Sequence, residues 1–193
     1  MRIQAQVSQF LSNAISSNPP PTLLVAFSGG VDSCVLLHAL AQAKKTHHFN
    51  LQAMHVHHGL SPNADVWAEF CAKTCAAYQV PLEVVKVKVE KNAGLGVEAA
   101  AREARYQALF AAGADYILLA HHQDDQAETL LLQLLRGAGL KGLSAMASQD
   151  ADRRLLRPLL DISRVEIEAY AKAAQLTWIE DESNLDKHYD RNY

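Results

Sequence analysis

Two rhythms of apolar residues divide the chain. Short uncharged runs alternate with longer stretches in which apolar residues return every three or four positions, and glycine, proline or polar clusters separate them. Ile3, Val7, Phe10, Leu11 and Ala14 keep helical spacing, so residues 2–15 are expected to form an amphipathic helix. Pro19-Pro20-Pro21 stops it, because the residue before a proline is pushed out of the α region. The chain then runs extended into Leu23-Leu24-Val25-Ala26-Phe27, an uncharged run that predicts a buried strand. After a turn at Gly29-Gly30, the stripe beginning Val35-Leu36-Leu37 predicts a helix to about Ala43.

The pattern repeats. Residues 51–56 predict a second strand, and a helix follows with Ser61 as N-cap, Pro62 at its first position, and Val66, Phe70, Cys71, Thr74 and Tyr78 on its inner side. In a third strand, 82–89, Val85, Val87 and Val89 alternate with Lys86 and Lys88, which suits the sheet edge. Further on come a helix over 97–112, a strand over 116–120, a helix over about 126–136 and a short fifth strand near Leu155–Leu160. Ser163 is expected to cap a last helix with Val165, Ile167, Tyr170 and Ala174 inward. Strands alternating with helices imply an α/β fold: a doubly wound, mostly parallel five-stranded sheet with helices on both faces. Ligands in such sheets bind at the carboxyl ends of the strands. Three strand ends here carry polar clusters: Ser28–Ser33, His55–Gly59 and His121–Asp125.

Bulk properties narrow the classes. The 193 residues suffice for one domain with a core covered on both sides, and 49% hydrophobic with 20% charged residues is ordinary for a globular chain. A formal charge of −3 excludes a generic nucleic-acid coat, so any RNA contact needs a local patch. Six cations (Arg136, Lys141, Arg153, Arg154, Arg157, Arg164) against three acids between 136 and 164 are one candidate. Three cysteines without paired metal-site spacing point to a reducing compartment and to buried or half-buried thiols. With no run of 18 apolar residues and no signal-peptide core, a cytoplasmic protein with no membrane partner is expected.

The candidate chemistry gathers at the strand ends. A strand, a glycine turn and a helix start form an anion site, where glycines let a phosphate approach the backbone. An ordinary capped turn would look similar. Asp32 is the odd member, since a carboxylate beside phosphates repels them unless it holds Mg²⁺ or lies to one side; nor does a Lys follow the glycines, as in the GxxxxGK[ST] loop. His55, His57 and His58, with His121 and His122, allow a zinc reading or a nucleotide-contact reading. Asp124, Asp125 and Glu128 either cap a helix or present two carboxylates to a cationic substrate or Mg²⁺. Glu98, Arg102 and Arg105 form either a surface ion-pair ladder or a clamp for an α-phosphate.

The string Ser28-Gly29-Gly30-Val31-Asp32-Ser33 in this setting resembles the PP-loop of the AMP-forming ATP pyrophosphatases, a family whose loop binds the pyrophosphate end of ATP. Further strings are similar to its tRNA(Ile)-lysidine synthetase branch: His55-Val56-His57-His58-Gly59-Leu60, Glu98 to Tyr106, His121 to Thr129, Leu135 to Gly139, Arg157-Pro158-Leu159-Leu160, and Glu180 to Asn184 with Arg191-Asn192. The resemblance implies an adenine nucleotide alpha hydrolase-like fold and a ligase acting on the wobble cytidine of the CAU-anticodon isoleucine tRNA. ATP would adenylate O2 of the base, and the ε-amine of free L-lysine would then displace AMP at C2. It also implies roles. Ser28, Gly29, Gly30, Val31, Asp32 and Ser33 would hold the pyrophosphate, with Asp32 for Mg²⁺; Met54, His55 and His57 would lie near the adenosine. Arg105 and His121 would act near the α-phosphate, and Asp125 and Glu128 would receive the lysine ammonium. The branch continues beyond such a domain, so 1–193 would be one catalytic domain whose residues 177–193 begin a linker. A 2-thiolation enzyme of the same family, or an ATP-binding module without turnover, stays as an alternative. Nothing in the sequence decides between a monomer and a homodimer.

Overall fold

The structure, a computed structural model, describes residues 2–15, 18–89, 96–135, 137 and 145–180. In chain order the elements are α1 (Arg2–Ala14), β1 (Thr22–Ala26), α2 (Val31–Ala43), β2 (Asn50–His57), α3 (Ala64–Ala77), β3 (Leu82–Lys86), α4 (Val97–Ala111), β4 (Tyr116–Leu118), α5 (Gln123–Leu135), β5 (Gln149–Asp150), β6 (Leu155–Leu156) and α6 (Arg164–Ala173). The sheet order is β3-β2-β1-β4-β6-β5; every pairing is parallel except β5 with β6.

The uncharged runs are strands because both of their faces are covered. Alternation along β1 sends Leu23 and Val25 into a large core with α1, α2, α3 and α6, and Leu24 into a smaller one on the opposite face. Leu51 and Ala53 on β2 join the first core, while Met54 joins Leu24, Ile117 and the α4 residue Leu109 in the second. Helices therefore do lie on both faces. Edge strand β3 is half-buried to exposed throughout, as its alternating lysines suggested.

Several boundaries differ from expectation, each for a local reason. The sheet has six strands rather than five. β5 is only two polar residues, pinned to β6 by a tight turn in which Arg153 N–H donates to Asp150 Oδ1 (3.0 Å), and no hydrophobic rhythm can announce it. α3 starts at Ala64, because Ser61 closes a turn of its own: its Oγ accepts from Asn63 N–H (3.1 Å) and its carbonyl from Ala64 N–H (3.2 Å). The shift turns Val66 outward (63% exposed) and leaves Ala64, Cys71 and Cys75 inside. Val165 on α6 is likewise exposed, and Ile167, Tyr170 and Ala171 form the buried stripe. Ser163 caps α6 as expected, in a reciprocal box with Glu166. The predicted tail of α5 at Arg136, Lys141, and residues 181–193 lie outside the described residues.

Strand order reverses beside β1: β2 and β3 lie on one side, β4 and β6 on the other. The crevice beyond the ends of β1 and β4 is therefore the switch point where doubly wound sheets take ligands. No helix among the described residues is long and apolar enough to cross a membrane. Leu37, fully buried on α2, should cost about 2–5 kcal/mol when truncated to Ala, whereas Val66→Ala should stay within about 0.5 kcal/mol. Urea unfolding of the two variants checks the difference.

Candidate active site around the glycine turn

The turn after β1 is built from its own hydroxyls. Ser33 Oγ donates to Gly30 O (2.9 Å) and accepts from Gly29 N–H (3.1 Å), and Ser28 Oγ accepts from Gly30 N–H (3.3 Å). Only Gly29 needs its glycine for backbone reasons, with φ +89°. Its missing side chain faces inward: a Cβ there would sit 2.5 Å from Ile179 Cδ1 and 3.1 Å from Cys71 Sγ. Ile179 N–H also donates to Gly29 O (2.9 Å), so residues near 179 lie across the turn. Gly30 has an ordinary φ of −69° and serves as the N-cap of α2, with no side-chain cap bond. The turn therefore has no Ser or Asp side-chain cap on α2, and of its two glycines only Gly29 uses a positive φ.

Three helix starts meet here. α5 begins in a capping box of its own: Asp125 Oδ2 accepts from His122 N–H (2.8 Å), and His122 Nδ1 accepts from Asp124 N–H (3.2 Å). An accepting Nδ1 leaves the neutral ring's proton on Nε2. That nitrogen stands 3.7 Å from Asp32 Oδ1 and 3.5 Å from Asp125 Oδ2, between the two carboxylates. α6 is tied in by Gln123 N–H to Ile162 O (2.9 Å) and by Arg164 N–H to Asp124 Oδ1 (3.2 Å). The Arg164 guanidinium lies on Asp32, with Nη1 at 2.9 Å from Oδ2 and 3.2 Å from Oδ1. Burial pushes the Asp32 carboxyl above its ordinary range; Arg164 and His122 pull it back, and the Asp125 charge adds to the push. Each helix start carries about half a positive charge, so carboxylates and cations balance closely in this crevice.

Beside it lies a pocket of about 210 Å³ lined by Arg102, His121, Asp125, Glu128, Thr129, Leu132, Gln133 and Met146. Gln126 sets one wall by clamping the Met146 backbone, donating to its carbonyl (2.8 Å) and accepting from its N–H (2.7 Å). His121 Nδ1 accepts from Arg157 Nε (3.2 Å), which leaves Nε2 as the protonated nitrogen of a neutral ring. Burial, with Arg157, Arg102 and Arg105 nearby, pushes its pKa down to about 3. At neutral pH it is a hydrogen-bond donor without charge. Arg102 and Arg105 stand over the Tyr106 ring at 5.3 and 5.7 Å.

The remaining candidates divide. His55 is buried and donates from Nδ1 to Phe27 O (3.0 Å), with Cys71 Sγ at 3.4 Å, so it braces the start of the loop. His57 pairs through Nε2 with Asp65 Oδ1 (3.1 Å) at the start of α3. The Met54 side chain lies in the smaller core, while its carbonyl accepts from Phe27 N–H (2.8 Å). Among the described residues no three His, Cys, Asp or Glu side chains gather as a metal site. A cation at Asp32 would need oxygens from a ligand, which suits Mg²⁺, a metal held by one or two carboxylates plus phosphates. Sequence reasoning missed Arg157 and Arg164 by placing both on an RNA-facing surface; Arg157 is buried and Arg164 holds Asp32. A charge set within Leu155–Leu160 was the available signal for Arg157. His58, grouped in the sequence with His55 and His57, has a buried Nδ1 without a hydrogen-bond partner, and burial and Arg105 push its pKa down to about 4.

Residues 1–193 match the PP-loop domain family. The chain is 50% identical over 183 residues to a tRNA(Ile)-lysidine synthase of Xanthomonas axonopodis pv. citri, covering 93% of this chain and 42% of that protein. Against the tRNA(Ile)-lysidine synthase of Chromobacterium violaceum it is 54% identical over 172 residues, covering 87% and 40%. The chain thus spans less than half the length of these curated relatives. Among solved structures it is similar to the U34-tRNA thiolase NcsA from Methanococcus maripaludis with its [4Fe-4S] cluster (TM-score 0.71, 18% identity, covering 92% of this chain and 66% of that one). It also resembles the NMN synthetase from Francisella tularensis (TM-score 0.62, 12% identity, 91% and 71% covered). At these identities the two structures speak for the fold alone.

Two outcomes follow from this geometry. Gly29→Ala should destabilise the fold by about 1–3 kcal/mol, measured by urea unfolding, through the clash with Ile179 and the positive φ. The two depressed histidines should make the fold acid-sensitive. The unfolded chain, with ordinary values of 6.5, binds protons that the folded one refuses until about 4 (His58) or about 3 (His121). Their stabilisation is therefore complete above pH 6.5 and is lost as pH falls through that window, while the raised Asp32 works the opposite way. NMR titration should show the His121 ring still neutral at pH 5.

Proposed function

The chain belongs to the PP-loop domain family, and we propose that it is the catalytic domain of a cytoplasmic ligase that joins lysine to the wobble cytidine of a CAU-anticodon isoleucine tRNA. The pocket beside the glycine turn carries this reading: it gathers two carboxylates, an arginine and a neutral histidine within about 210 Å³. Lysine is the substrate with the matching charges, one ammonium for Asp125 and Glu128 and a carboxylate for a cation such as Arg102. The 50% and 54% identical relatives are named tRNA(Ile)-lysidine synthase, which supports a tRNA(Ile) substrate and lysidine as the product.

In this reading ATP lies along the strand ends. Its pyrophosphate end meets Ser28, Gly29, Gly30, Val31, Asp32 and Ser33, and its adenosine lies toward Met54, His55 and His57. Asp32 would hold Mg²⁺, which neutralises phosphate charge when bound. Oxygen O2 of the cytidine attacks the α-phosphorus and pyrophosphate leaves. The lysine ε-amine, having given up a proton, then attacks C2, and AMP departs with the former O2. Arg105 and the Nε2–H of His121 stabilise charge on the α-phosphate, and the neutrality of His121 keeps it a donor throughout. No side-chain nucleophile is required. The work is positioning and charge.

The thiols favour this chemistry over sulfur transfer. Burial pushes Cys34 up to about 12 and Cys75 to about 11, and Cys71 rises too, so all three stay protonated in the core. Regions of the longer relatives without a counterpart in these 193 residues are where we place the grip on the tRNA body.

Full-length protein, ATP, labelled lysine and unmodified isoleucine tRNA should give lysine-labelled RNA, AMP and pyrophosphate; RNA without label would overturn the reading. Asp125→Asn keeps an acceptor for His122 N–H while removing the charge. It should raise the KM for lysine about tenfold or more with ATP binding little changed, as expected for a charged hydrogen bond. Equal loss of both would contradict the role given to Asp125.

A further inference from the structure

The pair between Arg164 and Asp32 joins the first residue of α6 to the first turn of α2 across the mouth of the crevice. It is not a buried clasp, since the Arg164 side chain is 41% exposed. Both Asp32 oxygens face one guanidinium nitrogen, at 3.2 and 2.9 Å, and Glu168 Oε1 accepts from Nε (3.0 Å) on the outer side. One carboxylate thus anchors the stem end of the group while the other engages its tip. Exchange of the tip partner needs only side-chain rotation about an arginine already held at Nε.

An anion arriving at the glycine turn disturbs this balance. The bases of three helices make the crevice attractive to phosphate, yet Asp32, Asp124 and Asp125 already hold negative charge there. A pyrophosphate group can settle only if cations turn toward it, and Arg164 is bonded to the residue that the anion must displace. A guanidinium fork fits phosphate as well as carboxylate and gains from the higher charge.

We propose that Arg164 is a phosphate-capturing counter-ion: it neutralises Asp32 before nucleotide arrives, then turns its fork onto the pyrophosphate end and leaves the Asp32 carboxylate to a divalent cation. This rests on the nucleotide reading of the glycine turn given above. Pyrophosphate and cation then bind with positive coupling, because each removes an obstacle to the other. Arg164 is accordingly a ligand of the nucleotide and not only a strut between α2 and α6.

The test uses the full-length protein with inorganic pyrophosphate as probe, by calorimetry, and Mn²⁺ followed by EPR. Arg164→Met should weaken pyrophosphate binding about tenfold to a hundredfold, and Arg164→Lys, which keeps charge without the fork, should fall between. In the absence of pyrophosphate, Arg164→Met should hold Mn²⁺ more tightly than the parent, because Asp32 has lost its internal partner. If both variants bind pyrophosphate as the parent does, with a loss seen only in thermal stability, Arg164 is a strut and the proposal is overturned. If the parent itself binds no pyrophosphate, the nucleotide reading fails with it, which separates the two cases.

Discussion

Three helices beginning at one place set the terms for the rest of this molecule. α2, α5 and α6 present their positive ends at the switch point of the sheet, and bringing like partial charges together is unfavourable unless something negative lies among them. In the free protein Asp32, Asp124 and Asp125 supply that charge, and the backbone and side-chain bonds of His122, Gln123 and Arg164 stitch the three starts together. The same arrangement gives Asp32 a place beside the proposed phosphate cradle. In the proposed reading it is a counter-charge for the helices when phosphate is absent and would be a cation ligand when phosphate is present.

The layers behind the crevice hold this arrangement rigid. Phe27 hangs from Met54 by its N–H and accepts from His55 at its carbonyl, so the end of β1 is fixed to β2 before the turn begins. Cys71 and Ile179 fill the space below Gly29, and Ile179 N–H reaches its carbonyl. The glycine is therefore required by packing behind the loop as much as by access in front of it. On the other side, Arg157 bridges His121 and the Ala147 carbonyl (2.7 Å), fixing both the tautomer of the histidine and the wall of the adjoining pocket. Charged groups at the site are thus oriented by neutral backbone partners.

The sequence made the architecture legible because doubly wound sheets bury both faces of their strands. Runs such as Leu23–Phe27 admit few other readings, and the polar clusters that follow them mark the carboxyl edge. Less was legible where a side chain's direction decides its role. Ser61-Pro62 looks like a helix start, yet a turn intervenes and carries Val66 outward; Val165 was misplaced because the stripe on α6 runs through Ile167, Tyr170 and Ala171. Arg157 and Arg164 belong to a cationic stretch, and only the tertiary fold reveals that one is buried against His121 and the other paired with Asp32. Asp125 has two placements at once. It closes the capping box of α5 and lines the pocket, which spacing alone could not separate.

Phosphate binding at the glycine turn is the proposal on which every other assigned role depends. The most direct measurement is a structure of the protein soaked or co-crystallised with ATP and Mg²⁺. The β- and γ-phosphates should lie against the amides of residues 29–33 at the start of α2, with the α-phosphate toward His121. Phosphates found elsewhere on the molecule, with the pairing of Arg164 and Asp32 intact beneath an empty turn, would contradict it.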